Sequence, residues 1–146
     1  MTEKTYTGGC LCGAVRYEVE GPLHPVHACH CRQCRRQSGH FFAATGAPKE
    51  ALTVVSGTAE LRWYRASAHA ARGFCSVCGS ALFWQADEGG SVEILAGSMD
   101  EPNDLRLAAH YYVADKGGYY EITDGLPQSR QGEEAAEASS GKGGEA

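Results

Sequence analysis

Gly9-Cys10-Leu11-Cys12-Gly13 and Phe74-Cys75-Ser76-Val77-Cys78-Gly79-Ser80 are the two stretches that decide how this chain folds. A CxxC followed at once by glycine is a zinc knuckle: two thiolates reach one tetrahedral ion at about 2.3 Å. The glycine lets the chain turn tightly enough for backbone amides to face the sulfurs. The CxC segment, with glycine on both sides, is the partner at shorter spacing. Together Cys10, Cys12, Cys75 and Cys78 offer four thiolates, which fills zinc's coordination sphere and marks a structural site tying an N-terminal strand to a later hairpin. A redox-active CxxC would instead need a helix start in a βαβ setting, and the surrounding pattern supplies neither.

A second cluster, Cys29-His30-Cys31-Arg32-Gln33-Cys34, merges CxC and CxxC. Its short spacings let Cys29, Cys31 and Cys34 converge on one ion, leaving a fourth position for water or substrate, as in catalytic zinc sites. The alternative is a closed site completed by His27, His30, His40 or a residue distant in sequence. His30 lies between two ligands and is expected to point away from the ion, which makes His40 the better candidate of the three. Arg32, Arg35 and Arg36 interleave with the motif. They either offset the negative charge of a tris-thiolate zinc or collect an anionic substrate.

Composition bounds the rest. The 146 residues, 42% hydrophobic and 21% charged, suit a globular domain with its own core. A formal net charge of −5 argues against nucleic acid as the main partner, because phosphate neutralisation requires a positive face. No apolar run is long enough to cross a bilayer, and the first residues carry no secretory pattern. The expectation is therefore a cytoplasmic protein whose seven cysteines stay reduced; the odd number would also strand one thiol in an all-disulfide framework. The stretch 129–146, rich in Ser, Gly, Ala and Glu, is expected to be a disordered tail, leaving a domain over 1–128.

The domain reads as mainly β. Val15, Tyr17 and Val19 alternate with Arg16, Glu18 and Glu20, the period of a half-buried strand. Further strands are expected over 41–45, 52–56, 60–64, 69–74, 81–85, 92–96 and 110–113, with turns at 46–48, 56–57, 87–90 and 116–118. Helix is scarce. The clearest stretch is 32–38, closed by Gly39 where a left-handed residue ends helices. Phe41, Phe42, Trp84 and Tyr111 are expected in the core rather than in a substrate pocket. No residue declares itself a general base; His40 and Asp124 are the polar candidates.

Gly-Gly-Cys-Leu-Cys-Gly at 8–13, Cys-His-Cys-Arg-Gln-Cys-Arg-Arg-Gln-Ser-Gly at 29–39, Phe-Cys-Ser-Val-Cys-Gly-Ser at 74–80 and Asp-Gly-Leu-Pro at 124–127 resemble the family of glutathione-dependent formaldehyde-activating enzymes and centromere protein V. The resemblance implies a β-tent fold, small antiparallel sheets clamped by the four-cysteine zinc. It also implies structural ligands at Cys10, Cys12, Cys75 and Cys78, active-site ligands at Cys29, Cys31 and Cys34, and two zinc ions as cofactors. The implied activity is that of a carbon–sulfur lyase or synthase acting on a small thiol such as glutathione and a small aldehyde, with Arg32, Arg35 or Arg36 holding a substrate carboxylate. Two other readings explain the thiols equally well from the residues alone: a zinc-stabilised protein-binding module, and a thiol sensor. Near the C-terminus, where family members often carry a tryptophan and a final aromatic, the chain has Tyr119 and Ser129.

Overall fold

The computed structural model describes residues 4–132. Among the described residues ten strands form: β1 (Thr5–Gly9), β2 (Arg16–Glu20), β3 (Val26–Cys29), β4 (Phe42–Pro48), β5 (Leu52–Ser56), β6 (Leu61–Arg65), β7 (Ala70–Cys75), β8 (Ala81–Ala86), β9 (Ser91–Leu95) and β10 (Leu107–Tyr111). One α-helix, α1 (Arg32–Ser38), lies between β3 and β4. The protein is mainly β, as the alternation predicts. Among the described residues no helix is long and apolar enough to cross a membrane. Two compact units divide the chain.

The first unit, residues 4–24 and 44–105, holds a three-stranded antiparallel sheet ordered β1-β2-β5 and the antiparallel run β4-β9-β8-β7-β6. The alternating residues Val15, Tyr17 and Val19 are all fully buried, and they pack with Leu82, Phe83, Val92 and Ile94 into one core. Strict alternation on β2 works because a period of two puts every second side chain on the same face. The Tyr17 and Phe83 rings meet edge to face, 5.2 Å between centroids and 66° between planes, the arrangement that aromatic quadrupoles favour. Phe83→Ala is expected to lower unfolding free energy by about 3–5 kcal/mol. Urea titration checks this, and a loss below about 1 kcal/mol would mean that the ring is not a keystone of this core.

The turn expected at 46–48 is instead the last part of β4, paired with β9 through Gly46↔Glu93 and Ala47↔Val92. Glycine serves close approach here rather than turning, because a Cβ on Gly46 would sit 2.3 Å from Nε2 of His24. Two strands carry little sequence signal: glycine-ended β1 and the four-residue β3.

The second unit, residues 25–43 and 106–132, contains β3, α1 and β10. Here β10 runs parallel to β3, with His110 opposite Ala28 and Tyr111 opposite Cys29. This parallel pair stands beside otherwise antiparallel strand pairs. The chain then returns along β10: His110 N–H donates to the Pro127 carbonyl and Ser129 N–H to the His110 carbonyl, each at 2.9 Å. Ser129 is fully buried and its hydroxyl donates to the Gln131 carbonyl. Order thus extends past the boundary expected after residue 128, because these backbone groups complete the edge of β10. Most of the stretch read as a tail, 133–146, lies outside the described residues.

Helix α1 spans the expected residues. Its N-cap is Cys31, whose Sγ accepts from the Cys34 N–H, and Gly39 ends it at φ 87°, donating its N–H to the Arg35 carbonyl. That left-handed conformation is what a side chain would resist.

Candidate functional site

Each unit carries one group of thiols. In the first, the sulfurs of Cys10, Cys12, Cys75 and Cys78 all lie within 4.8 Å of one another. Cys10 and Cys12 are separated by 3.6 Å, and Cys12 and Cys75 by 3.8 Å. A disulfide would need about 2.05 Å. A tetrahedron of sulfurs at about 2.3 Å from a central ion has edges of about 3.8 Å, so the spacing is that of a tetrathiolate metal site. The surrounding backbone fits as well: Val15 N–H points at the Cys10 sulfur (3.2 Å), while the Val77 and Cys78 N–H groups point at the Cys75 sulfur (3.4 and 3.5 Å). Such donors stabilise thiolates. The Ser80 hydroxyl, with the Ser80 and Cys12 backbone amides, holds the Cys78 thiol down at about 5. Gly79, at φ 83°, closes the knuckle with its N–H on the Cys75 carbonyl.

In the second unit, Cys29 ends β3, Cys31 caps α1 and Cys34 sits in its first turn. Strand end, cap and helix turn bring three sulfurs within 4.8 Å, and no disulfide joins them. Hydrogen bonds from the Cys29 and Cys34 thiols, against the opposing cost of burial, and aided by the Cys34 and Gln33 amides, drive the Cys31 thiol down to about 2. Cys29 moves far up, chiefly because it donates to Cys31 and Cys34, and further through burial. The cluster therefore holds a thiolate readily at Cys31 and resists one at Cys29 unless a cation shares the charge, which is the chemistry of a metal-binding set. Among the described residues no histidine or carboxylate joins the three thiols as a fourth member of the group.

The histidines weighed as a fourth ligand go elsewhere. His40 is exposed, its Nδ1 3.5 Å from the Tyr119 hydroxyl and its ring packed 4.5 Å from Phe41. His30 has 1% of its surface exposed and both ring nitrogens occupied. Nδ1 meets the Tyr120 hydroxyl and Nε2 lies 2.9 Å from Nδ1 of His110. His110, also buried, places Nε2 2.8 Å from Oδ2 of Asp124, whose Oδ1 accepts the Leu126 N–H. A continuous hydrogen-bonded chain results, Tyr120–His30–His110–Asp124. Burial first, then His110, His40 and Lys116, push His30 down to about 4, so it is neutral at neutral pH. Burial opposes ionisation of Asp124, yet the Leu126 amide and His110 outweigh it and its carboxyl lies below the ordinary range.

Of the three arginines, Arg32 and Arg36 are exposed, whereas Arg35 is half-buried and its Nε is enclosed without a hydrogen-bond partner. Phe42 is core, as expected. Phe41 is not: its ring packs against His30, His40, His110 and Tyr120 at 4.5–6.4 Å. Sequence reasoning set His30 aside as a non-ligand and missed His110 and Tyr120. The available signal was weak: a histidine at an inward position of an otherwise apolar strand, Leu107–Tyr111.

Comparison with known proteins bears on these groups. The family model described as "Glutathione-dependent formaldehyde-activating enzyme" matches residues 5–115. A Halomonas elongata protein named "Putative glutathione-dependent formaldehyde-activating enzyme" is 37% identical over 83 residues, covering 52% of this chain and 53% of that protein. A Penicillium rubens protein of the same name is 30% identical over 123 residues, 80% of this chain and 59% of the relative. An uncharacterised lyase of Schizosaccharomyces pombe is 31% identical over 79 residues, 54% and 56% of the two chains. The chain thus spans somewhat over half the length of the curated relatives it matches. A crystal structure of a Rhodobacter sphaeroides protein superposes with a TM-score of 0.58 at 26% identity, over 70% of this chain and 99% of that one.

Proposed function

The chain belongs to the family of glutathione-dependent formaldehyde-activating enzymes, and on that premise we propose that it is a zinc-dependent carbon–sulfur lyase or synthase joining a small thiol to a small aldehyde. In the simplest such reaction, glutathione and formaldehyde give S-hydroxymethylglutathione: the sulfur–carbon bond forms and the thiol proton ends on the former carbonyl oxygen. The observation that carries this reading is the three-sulfur group of Cys29, Cys31 and Cys34, which no fourth described ligand closes.

Zinc held by these three residues would supply a position at which an incoming thiol is deprotonated at neutral pH. The protein's own groups do the rest. Cys31, the readiest thiolate, opens the ligand set at the head of α1, and Cys34 is its buried member. Arg35 is the best placed of the three arginines to receive a substrate carboxylate, since an enclosed, unpartnered guanidinium N–H gains most from an anionic acceptor. Arg32 and Arg36, exposed on the same helix, contribute general positive potential.

Arg35→Ala is expected to raise KM for glutathione about tenfold or more, given that hydrogen bonds to charged groups contribute about 1.5–3 kcal/mol. Arg32→Ala and Arg36→Ala should move it less than about threefold, as screened surface charges do. Steady-state kinetics on the three variants decide whether the guanidinium or only the charge of the helix matters. The reading as a whole is tested by exchange NMR between labelled formaldehyde and its glutathione adduct. Zinc-loaded protein should accelerate the exchange, and a wild-type chain that leaves the rate unchanged rules out this substrate pair.

A further inference from the structure

The antiparallel run β4-β9-β8-β7-β6 ends on β6, and that end is open. Among the described residues β6 pairs with β7 alone, from Leu61↔Cys75 to Arg65↔Ala71 without a shift of register. An edge strand presents outward N–H and C=O groups, and proteins blunt such edges with proline, a bulge, charge or a covering segment. In the second unit the edge of β10 is covered by the backbone of Pro127 and Ser129. In the first, edge strand β5 is interrupted, its ladder with β2 shifting register between Arg16 and Tyr17. Strand β6 has no proline, no bulge and no cover among the described residues. The Ser76 N–H donates to the Glu60 carbonyl at 2.8 Å, which sets the alternation along the strand. Arg62 and Tyr64 therefore turn their backbone groups to β7, and Trp63 and Arg65 turn theirs outward. The Leu61 N–H is already bonded to the Gly57 carbonyl, so Leu61 offers the edge its carbonyl only.

The side chains of this edge are large and ordered. Trp63 is 43% exposed and Tyr64 64% exposed. The Trp63 ring lies across Gly73, where a Cβ would sit 3.1 Å from it, and stacks on Phe83 at 6.0 Å and 22° between planes. It is thus fixed at the rim of the core with much of its surface in water. Alternation puts Arg62 and Tyr64 on the opposite face. The charges that would guard the edge are weakened. Arg65 is held by both carboxylate oxygens of Asp87, at 3.0 and 2.8 Å. Arg62 is exposed and forms no ion pair among the described residues.

We propose that β6 is an interface between two copies of this chain, each β6 pairing antiparallel with the other about a two-fold axis at Trp63. A closed pair of this kind needs a strand complementary to itself, and β6 is. With Trp63 opposite the partner's Trp63, those two residues exchange backbone hydrogen bonds, and each Arg65 N–H reaches the carbonyl of the partner's Leu61. Every outward group from the Leu61 carbonyl to the Arg65 N–H is then used. On the other face each Arg62 stands opposite the partner's Tyr64, at the close spacing of a non-hydrogen-bonded pair. A guanidinium there meets the negative face of a phenol ring instead of a like charge. The neighbouring register, Trp63 opposite the partner's Arg65, sets Arg62 against Ala66 and forgoes that contact. A foreign strand would have to bring its own acidic or aromatic residue to Arg62, whereas a second copy carries Tyr64 at the required position.

The test uses the full chain from micromolar to millimolar concentration, with sedimentation equilibrium for mass and residue-resolved amide hydrogen exchange for the edge. Wild type should pass from monomer to dimer, and over the same range exchange at the Trp63 and Arg65 amides should slow. The Arg62 and Tyr64 amides, bonded to β7, should be protected throughout. Tyr64→Lys sets a lysine against each Arg62 and should raise the dimer Kd about tenfold or more; Tyr64→Glu sets a carboxylate there and should hold or lower it. Both substitutions fall on an exposed side chain, so the thermal transition should be kept, and wild-type exchange decides the matter even where a variant fails to fold. A monomer at every concentration would overturn the inference. So would a dimer that leaves the Trp63 and Arg65 amides in fast exchange, or a Tyr64→Lys variant that pairs as tightly as wild type. Amides protected in a monomer at every dilution would assign the edge to the chain's own cover, and amides protected only by an added acidic peptide would assign it to a foreign strand; either result overturns the pairing of two copies.

Discussion

Removing the zinc that we propose for the Cys10, Cys12, Cys75 and Cys78 group is expected to abolish the cooperative thermal transition of the chain rather than to lower it by a few degrees. Metal binding to a structural tetrathiolate site contributes about 10–16 kcal/mol in small domains, as much as the whole net stability of a typical domain, about 5–15 kcal/mol. The placement of the ligands makes the coupling direct. Cys10 and Cys75 belong to the same buried core as Tyr17, Leu82 and Phe83, and Cys75 has no exposed surface. Without the ion, four sulfurs within 4.8 Å face one another with their amides aimed at charge that is no longer held. Cys75→Ser should reproduce the effect of chelation. Calorimetry of a demonstrably zinc-free protein checks it, and a retained full transition would show that the thiols are a passenger of this core rather than its clamp.

Cys34→Ser is expected to do the opposite: to spare the fold and eliminate the activity. A serine hydroxyl is nearly isosteric with the thiol but a poor zinc ligand, and α1 keeps its Ser38-to-Cys34 carbonyl bond (2.7 Å) and its Gly39 cap because both use backbone acceptors. With one of three ligands gone, zinc content should fall from two ions to one, one per thiol group. Formaldehyde–glutathione exchange should fall about 100-fold or more, beyond the 10–100-fold typical of losing an orienting partner. Metal analysis, melting and exchange NMR on one preparation read all three. Global unfolding of this variant, or two zinc ions retained, would favour a purely structural role for both thiol groups.

The contrast between these variants shows what kind of information the residue order carries. Both thiol groups were legible because metal ligation is written in short spacings: CxC, CxxC and CxCxxC each bring their own sulfurs together through one or two turns, and the fold then carries Cys12 to Cys75 across 63 residues. Helix α1 was legible for the same reason, its N-cap at Cys31 and its left-handed Gly39 both being local signals. Strand β2 declared itself by strict alternation. Where the signal was local but ambiguous, reading went astray. Gly46 and Pro48 suggested a turn, yet they extend β4, since the glycine there makes room for the His24 ring.

The polar candidates His40 and Asp124, and the three arginines that the residue order leaves as alternatives, show the other side. Only the fold separated Arg35 from Arg32 and Arg36, by enclosing one guanidinium nitrogen and leaving its neighbours in water. Only the fold made Asp124 the anchor of a chain instead of a lone loop carboxylate.

By itself, then, the order of residues established a mainly β protein with two thiol clusters of distinct size, since coordination number follows from counting ligands at close spacing. The tertiary structure decided which polar groups stand beside the smaller cluster. His30 meets His110 across 80 residues and Tyr120 across 90, because β10 lies parallel to β3 and the chain folds back beyond it. Contacts of that range depend on strand register, and register is settled by the packing of the whole unit rather than by any stretch of its sequence.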